Sequence, residues 1–97
     1  MAFYTYIMTN KACGVLYIGQ TDDMAKRAWQ HRNHCVEGFT DRYNLEKLVL
    51  VEMHQSRKAA KARERQLKGW KRAWKVALIE ENNPDWLDLY NQLGDLI

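Results

Sequence analysis

No apolar run in these 97 residues approaches the ~20 that a membrane-spanning helix requires. No charged-then-apolar leader opens the sequence, so nothing in it signals secretion. Internal repeats, low-complexity tracts and linkers are lacking too, and the length suits one domain of the usual ~50–250 residues. Cysteine occurs twice, as Cys13 and Cys35, with no hint of an oxidising compartment that would favour a bridge. Cys35 stands four residues from His31 and next to His34. No CxxC or HxxxH pair accompanies them, so free thiols are expected ahead of a zinc site. These absences exclude a helical membrane protein. The expectation is a small cytoplasmic globule, one domain over residues 1–97 with its core at about 3–90.

What the sequence does contain is unevenly spread charge. The net value of +3 hides three blocks. Residues 1–56 balance six Lys/Arg against six acids, residues 57–75 carry nine basic residues beside Glu64 alone, and residues 76–97 hold five acids with no Lys or Arg. A block of that density suits a polyanion, because clustered Lys and Arg bind phosphates and release their counterions. A solvated helix face is the plain alternative for any basic helix. The single acid inside the block favours a functional face.

Apolar residues make up 46% of the chain, enough for a packed core. Residues 3–8 are aromatic and β-branched and read as a strand. Residues 9–14 have turn chemistry, and 15–19 read as the return strand of a hairpin. Thr21 or Asp22 caps a helix expected from about 23 to 37, with Met24, Ala28, His31 and Cys35 on its inner stripe and Gly38 at its end. Residues 47–53 form a third strand, more uniformly apolar and therefore expected to be the most covered. Ser56 caps a helix over 57–68, Gly69 breaks the path, and a third helix follows over 70–81. Asn83-Pro84 stops it, and Pro84 opens a short final helix. The pattern predicts an α+β domain in which helices flank a small three-stranded antiparallel sheet, in the order β-β-α-β-α-α.

Several residues are out of place for a structural role alone. Glu64 falls at the helical period of Ala60 and Leu67, the positions that face the sheet. A carboxylate there loses hydration, at a cost of several kcal/mol unless something compensates. The compensation is either an ion pair, with Arg27, Arg32 or Lys71, or a hard divalent cation, Mg²⁺ or Mn²⁺, which takes few protein ligands. Arg27 and His31 are four apart on the first helix and share one edge of it. Such a pair is often a simple polar boundary, but Arg holds phosphate bidentately and His titrates near neutrality. Tyr6 and Tyr17 lie on the two hairpin strands and can face each other, with Tyr43 and Asn44 near the same end of the sheet. Strand tyrosines usually pack, and a phenol accepts a proton only with help, given its pKa of ~10. Trp70 and Trp74, interleaved with Lys68, Lys71, Arg72 and Lys75, are suited to stacking on bases, but their spacing of four favours core packing.

In this order and spacing the residues resemble the GIY-YIG nuclease superfamily, and among its members the small single-domain bacterial ones. Tyr17-Ile18-Gly19 reproduces the second signature, followed by Thr21, Arg27 and His31. In the first signature Tyr4-Thr5-Tyr6 stands for Gly-Ile-Tyr, with only the tyrosine kept. Gly38-Phe39-Thr40, Arg42-Tyr43-Asn44, Ala62-Arg63-Glu64, the run from Trp70 to Lys75 and Asn83-Pro84-Asp85-Trp86 are similar to the same subgroup, so the likeness spans about 3–90.

The resemblance implies a metal-dependent endonuclease. Glu64 corresponds to the metal-holding glutamate. Tyr6 and Tyr17 correspond to the tyrosines that position or deprotonate the attacking water, and Arg27 to the arginine that binds the scissile phosphate. His31 matches a histidine suited to proton transfer or phosphate contact, and Asn83 corresponds to an asparagine found in some active sites. Tyr43 is a further candidate. The implied cofactor is Mg²⁺ or Mn²⁺. The implied partner is nucleic acid, DNA first, held by Lys61, Arg63, Lys68, Lys71, Arg72 and Lys75. A chain of this size has no separate recognition module, so low sequence specificity is expected, with a homodimer or protein partner, branched or damaged substrates and a repair role as extensions. The other reading is a nucleic-acid-binding or adaptor module that kept the scaffold and lost efficient catalysis.

Overall fold

The computed structural model describes residues 2–35 and 43–93. Strand β1 (Phe3–Thr9) pairs antiparallel with β2 (Leu16–Thr21) on one side and with β3 (Lys47–His54) on the other. The sheet order is therefore β2-β1-β3, and the architecture is α+β as the sequence pattern predicts. Helix α1 (Met24–Arg32) follows the hairpin, α2 (Arg57–Gly69) and α3 (Arg72–Asn82) follow β3, and a 3-10 turn spans Leu89–Gln92.

Alternation along β1 divides the core in two. Tyr4, Tyr6 and Met8 point to one face, where Met24 and Ala28 of α1, Leu45, Leu48 and Leu93 close over them. Ile7 points to the other face and packs with Ile18, Val49, Leu50, Leu67 of α2, Ile79 of α3 and Trp86. A bulge between Ile7 and Met8 shifts the register with β3, which explains how consecutive Val49 and Leu50 both serve the second cluster. Thr5 also faces α2, and its hydroxyl donates to the Ala60 carbonyl at 2.9 Å. This pins the helix to the central strand.

Ser56 caps α2 as expected, whereas α1 is capped by Asp23 in place of Thr21 or Asp22. Asp23 accepts the Lys26 N–H at 3.1 Å, and Ser56 accepts the Ala59 N–H at 3.1 Å. The ends depart from expectation. Helix α1 stops at Arg32 because Asn33 turns back, its amide donating to the Trp29 carbonyl at 2.9 Å, and His34 takes a left-handed φ of 57°. Cys35 consequently leaves the inner stripe and is exposed, while Met24, Ala28 and His31 stay buried. Gly38, expected to end that helix, lies outside the described residues.

Three further expectations are corrected. β3 is an edge strand, and the most covered strand is β1, since only the central strand has neighbours on both sides. Residues 84–88 form a turn and extended chain, so no helix opens at Pro84, and the 3-10 turn starts well after it. Trp70 packs on the second cluster as expected, but Trp74 is 54% exposed and meets the Trp70 ring edge to face. It is a surface residue.

Asn83 accounts for the way the chain returns after α3. It is buried, its amide donates to the carbonyls of Val49 (3.2 Å) and Leu87 (2.9 Å), and its oxygen accepts the Leu87 N–H (3.0 Å). Its side-chain amide fastens the chain to β3.

Candidate active site

The site begins with the pairing of β1 and β2. Tyr6 lies directly opposite Gly19, and Tyr17 opposite Met8, so the two tyrosines are diagonal neighbours on one face. Their ring centroids are 6.3 Å apart. The glycine of Tyr-Ile-Gly is what lets Tyr6 lie there. A Cβ on Gly19 would stand 2.5 Å from the Tyr6 hydroxyl oxygen and 2.6 Å from its Cζ, closer than any real contact. Gly19→Ala is therefore expected to displace the Tyr6 ring and to destabilise the fold by about 1–3 kcal/mol, as overpacking does. A denaturant melt checks the stability, and the Tyr6 ring resonances check the displacement. A variant with wild-type stability and unshifted Tyr6 would contradict it.

Helix α1 sets His31 and Arg27 over this pair. His31 is only 2% exposed, and its Nε2 lies 3.0 Å from the Tyr6 hydroxyl. Its ring stands 5.7 Å from that of Tyr6 and 5.5 Å from that of Tyr17, so the three rings form a closed triangle. Burial pushes the Tyr6 phenol up to about 12, against an opposing pull from the Arg27 guanidinium beside its oxygen. The same burial, reinforced by the Arg27 charge, pushes His31 down to about 4. At neutral pH both are uncharged. The His31 tautomer with its hydrogen on Nδ1 lets the phenol donate to Nε2 and keep its lone pairs towards Arg27.

The depressed His31 has a consequence for stability. The unfolded chain takes up a proton on this residue near pH 6.5, and the folded chain only near 4. Stability is thus unaffected at neutral pH and falls as the pH drops through that window, by up to about 3 kcal/mol from this residue. His31→Gln should flatten that part of the profile in urea melts taken at neutral and acid pH. An unchanged acid slope in the variant would contradict it.

Glu64 comes from α2, which packs against β1 and β2 from the opposite face of the sheet. Its carboxylate is half-buried and close enough for its charge to hold the Tyr6 phenol up further. The cation it meets is Lys68, one turn on, at 3.3 Å, and not Arg27, Arg32 or Lys71. That lysine is largely exposed, and such i,i+4 pairs are worth only about 0.3–0.5 kcal/mol. Glu64 is therefore readily taken from its partner.

Whether these residues suit a divalent cation follows from the donor set. Among the described residues no three His, Cys, Asp or Glu side chains converge, so a closed structural metal site is not built. One carboxylate does suit Mg²⁺ or Mn²⁺, which keeps several waters and completes its shell with substrate phosphate. Gln20 adds an unusual feature. Its Oε1 is buried with no hydrogen-bond partner among the described residues, an acceptor left for a water or cation at the end of β2.

Arg27, half-buried and donating to Gln30 Oε1 at 3.3 Å, opens onto a cleft of about 380 Å³. Gln20, Thr21, Asp22, Asp23, Lys26 and Arg57 complete its walls. Tyr43 is not among them. It is exposed and lines a separate cleft with Arg32, Asn44 and Asp88. The structure thus gathers Tyr6, Tyr17, Arg27 and His31, brings the Glu64 charge to bear on Tyr6 from α2, and leaves Tyr43 and Asn83 apart. Sequence reading missed Gln20, Lys26, Gln30 and Arg57. Only Gln30 carried a local signal, its i+3 spacing from Arg27.

The expected phosphate-binding residues divide. Lys61 is exposed and unpaired among the described residues. Arg63 forks onto Glu52 at 2.8 and 3.1 Å, and Arg72 donates to the carbonyls of Cys13 and Gly14 at 2.7 and 2.5 Å. Lys68 meets Glu64, Lys71 lies over the Trp74 ring, and Lys75 is half-buried.

Comparison with known proteins supplies an independent view. The sequence pattern of the GIY-YIG catalytic domain matches residues 2–77. Among solved structures, the solution NMR structure of the UPF0213 protein BH0048 from Bacillus halodurans is similar, with a TM-score of 0.53 and 28% sequence identity. The match covers 82% of this chain and 84% of that one. Curated protein sequences give no match.

Proposed function

Since this chain belongs to the GIY-YIG catalytic domain family, we propose that it is an endonuclease hydrolysing DNA phosphodiester bonds with Mg²⁺ or Mn²⁺ on Glu64. The observation that carries this reading is the 3.0 Å contact between the Tyr6 hydroxyl and a neutral, buried His31, with Arg27 facing the same oxygen. Phosphodiester hydrolysis needs an activated water, a cation on the phosphate oxygens and help for the leaving oxygen. A divalent ion on Glu64 supplies charge for the phosphate and acidity for the attacking water.

The chain's own groups supply the rest. Arg27 takes the scissile phosphate from the cleft. The water gives its proton to the Tyr6 oxygen as the Tyr6 hydrogen passes to His31 Nε2. A phenol held near 12 is not ionised at neutral pH, so it relays a proton only by giving up its own. A phosphate on Arg27 also cancels the charge that depresses His31, which raises its basicity when substrate is bound. Tyr17 closes the ring triangle and holds the relay in place.

Low sequence specificity, with substrates selected by shape, is part of this reading. A role in repair or recombination, work in the cytoplasm and a homodimer or protein partner belong to the same proposal. No helix among the described residues is long and apolar enough to cross a membrane.

The test is purified protein with labelled duplex, single-stranded and branched DNA, each with Mg²⁺, Mn²⁺ or EDTA. Cleavage of at least one substrate that EDTA abolishes supports the proposal. Salt-dependent binding with no cleavage in either metal would contradict it and favour a module that only binds.

A further inference from the structure

We propose that the nucleic-acid strand leaving the Arg27 cleft runs past Arg57 and along the N-terminal half of α2, its phosphates taken by Lys58, Lys61 and Arg65. The inference rests on the nuclease reading and specifies the path of the substrate across the surface. Its first support is continuity. Arg57 lines the Arg27 cleft and also a hollow of about 450 Å³ whose other walls are Lys58, Lys61, Ala62 and Arg65. One guanidinium therefore joins the two.

Arg57 is already positioned as that junction. Asp22 accepts from its Nη2 at 2.9 Å, and its guanidinium lies 5.0 Å over the Phe3 ring. Five N–H donors leave it capacity for a phosphate while one of them stays on Asp22. Lys26, Arg27 and Arg57 line the cleft beside Asp22 and Asp23, so cations outnumber acids there.

The second support is the state of the cations. Lys58, Lys61 and Arg65 stand at i, i+3 and i+7, on one face of the helix, over about 10 Å of rise. None of them meets an acid or a carbonyl among the described residues, and all three lie on the outer side of the helix. In the C-terminal part of the block, Arg63, Lys68 and Arg72 are engaged by Glu52, Glu64 and the hairpin carbonyls, and Lys71 covers a ring. Helix energetics do not account for the free three. Lys58 occupies the first turn, which holds no acid of its own and where the helix dipole disfavours cations. An anionic occupant does account for them.

The test is DNA binding in EDTA across a salt titration, with metal-dependent cleavage of the same DNA measured in parallel. Removing one phosphate-binding cation lowers the slope of log K on log salt by about 0.7 to 0.9. Lys58→Ala/Lys61→Ala/Arg65→Ala is expected to lower it by about 2 to 3, and Lys71→Ala/Lys75→Ala by less than about 1. Lys58→Arg/Lys61→Arg should keep the wild-type slope, and equal melting curves show that the surface variants fold. If the slope falls with Lys71 and Lys75 instead, the path is wrong while the nuclease reading stands. If the wild type neither binds nor cuts DNA, the nuclease reading fails and the path with it.

Discussion

Glu64→Gln is expected to lower single-turnover, metal-dependent cleavage by about 10³-fold or more, equivalent to about 4 kcal/mol of transition-state stabilisation. It should leave the melting temperature almost unchanged. Glu64 does little for the fold. Its ionic partner is Lys68, a neighbour on the same helix that is itself mostly exposed. Exchanging carboxylate for amide keeps volume and packing beside Ala60 and Leu67, so stability should move by less than about 1 kcal/mol. A structural carboxylate would behave in the opposite way, with stability lost and any cleavage lost in proportion. Single-turnover rates in Mg²⁺ beside a thermal melt separate the two.

Tyr6→Phe is the second large expected effect, a loss of about 10²- to 10⁴-fold in rate at saturating DNA, with binding little changed. The ring fills a fully buried position, and phenylalanine fills it equally well. What disappears is the oxygen between Arg27 and His31. His31 Nε2 is then left without its partner, beside an Nδ1 that already lacks one among the described residues. Some stability should be lost for that reason, about 1–3 kcal/mol, the usual penalty for an orphaned buried polar atom. The readout that a merely structural role would not give is the split between rate and affinity. A variant cutting at the wild-type rate would remove Tyr6 from the proton path, while one with weakened binding and unchanged rate would make it a packing residue.

Much of this arrangement was legible in residue spacing. Period two placed Tyr6 and Tyr17 on one face of the hairpin, and period 3.6 brought Met24, Ala28 and His31 inward together. The same period put Glu64 between Ala60 and Leu67, where it is found half-buried. The signature Tyr-Ile-Gly gains a physical reason from the register, since Gly19 is the residue that faces Tyr6.

What spacing did not carry was anything decided by distant partners. The apolar run of β3 suggested the most covered strand, but strand order is set by which edges pair, and β1 took the centre. Trp74 has the spacing of a core residue, yet α3 turns Ile79 inward and leaves that ring in solvent. The nine cations of the basic block look alike in sequence. Only the fold shows that Arg72 is occupied by the Cys13 and Gly14 carbonyls and Arg63 by Glu52, while Lys58, Lys61 and Arg65 remain available. Asn83 illustrates the same point from the other direction, since a polar residue in a suggestive motif proves to be a fastener between α3 and β3. Gln20 gave no signal at all, because an unsatisfied oxygen is a property of its surroundings.

The central claim, that Glu64 holds a divalent ion beside the Tyr6–His31 relay, is tested most directly by locating Mn²⁺ through its anomalous scattering in crystals of the Tyr6→Phe protein with uncleaved DNA. A peak is expected at about 2.0–2.2 Å from a Glu64 carboxylate oxygen and against a phosphate that also contacts Arg27. A peak elsewhere, or bound DNA with Glu64 still on Lys68 and no ion near it, would contradict the account.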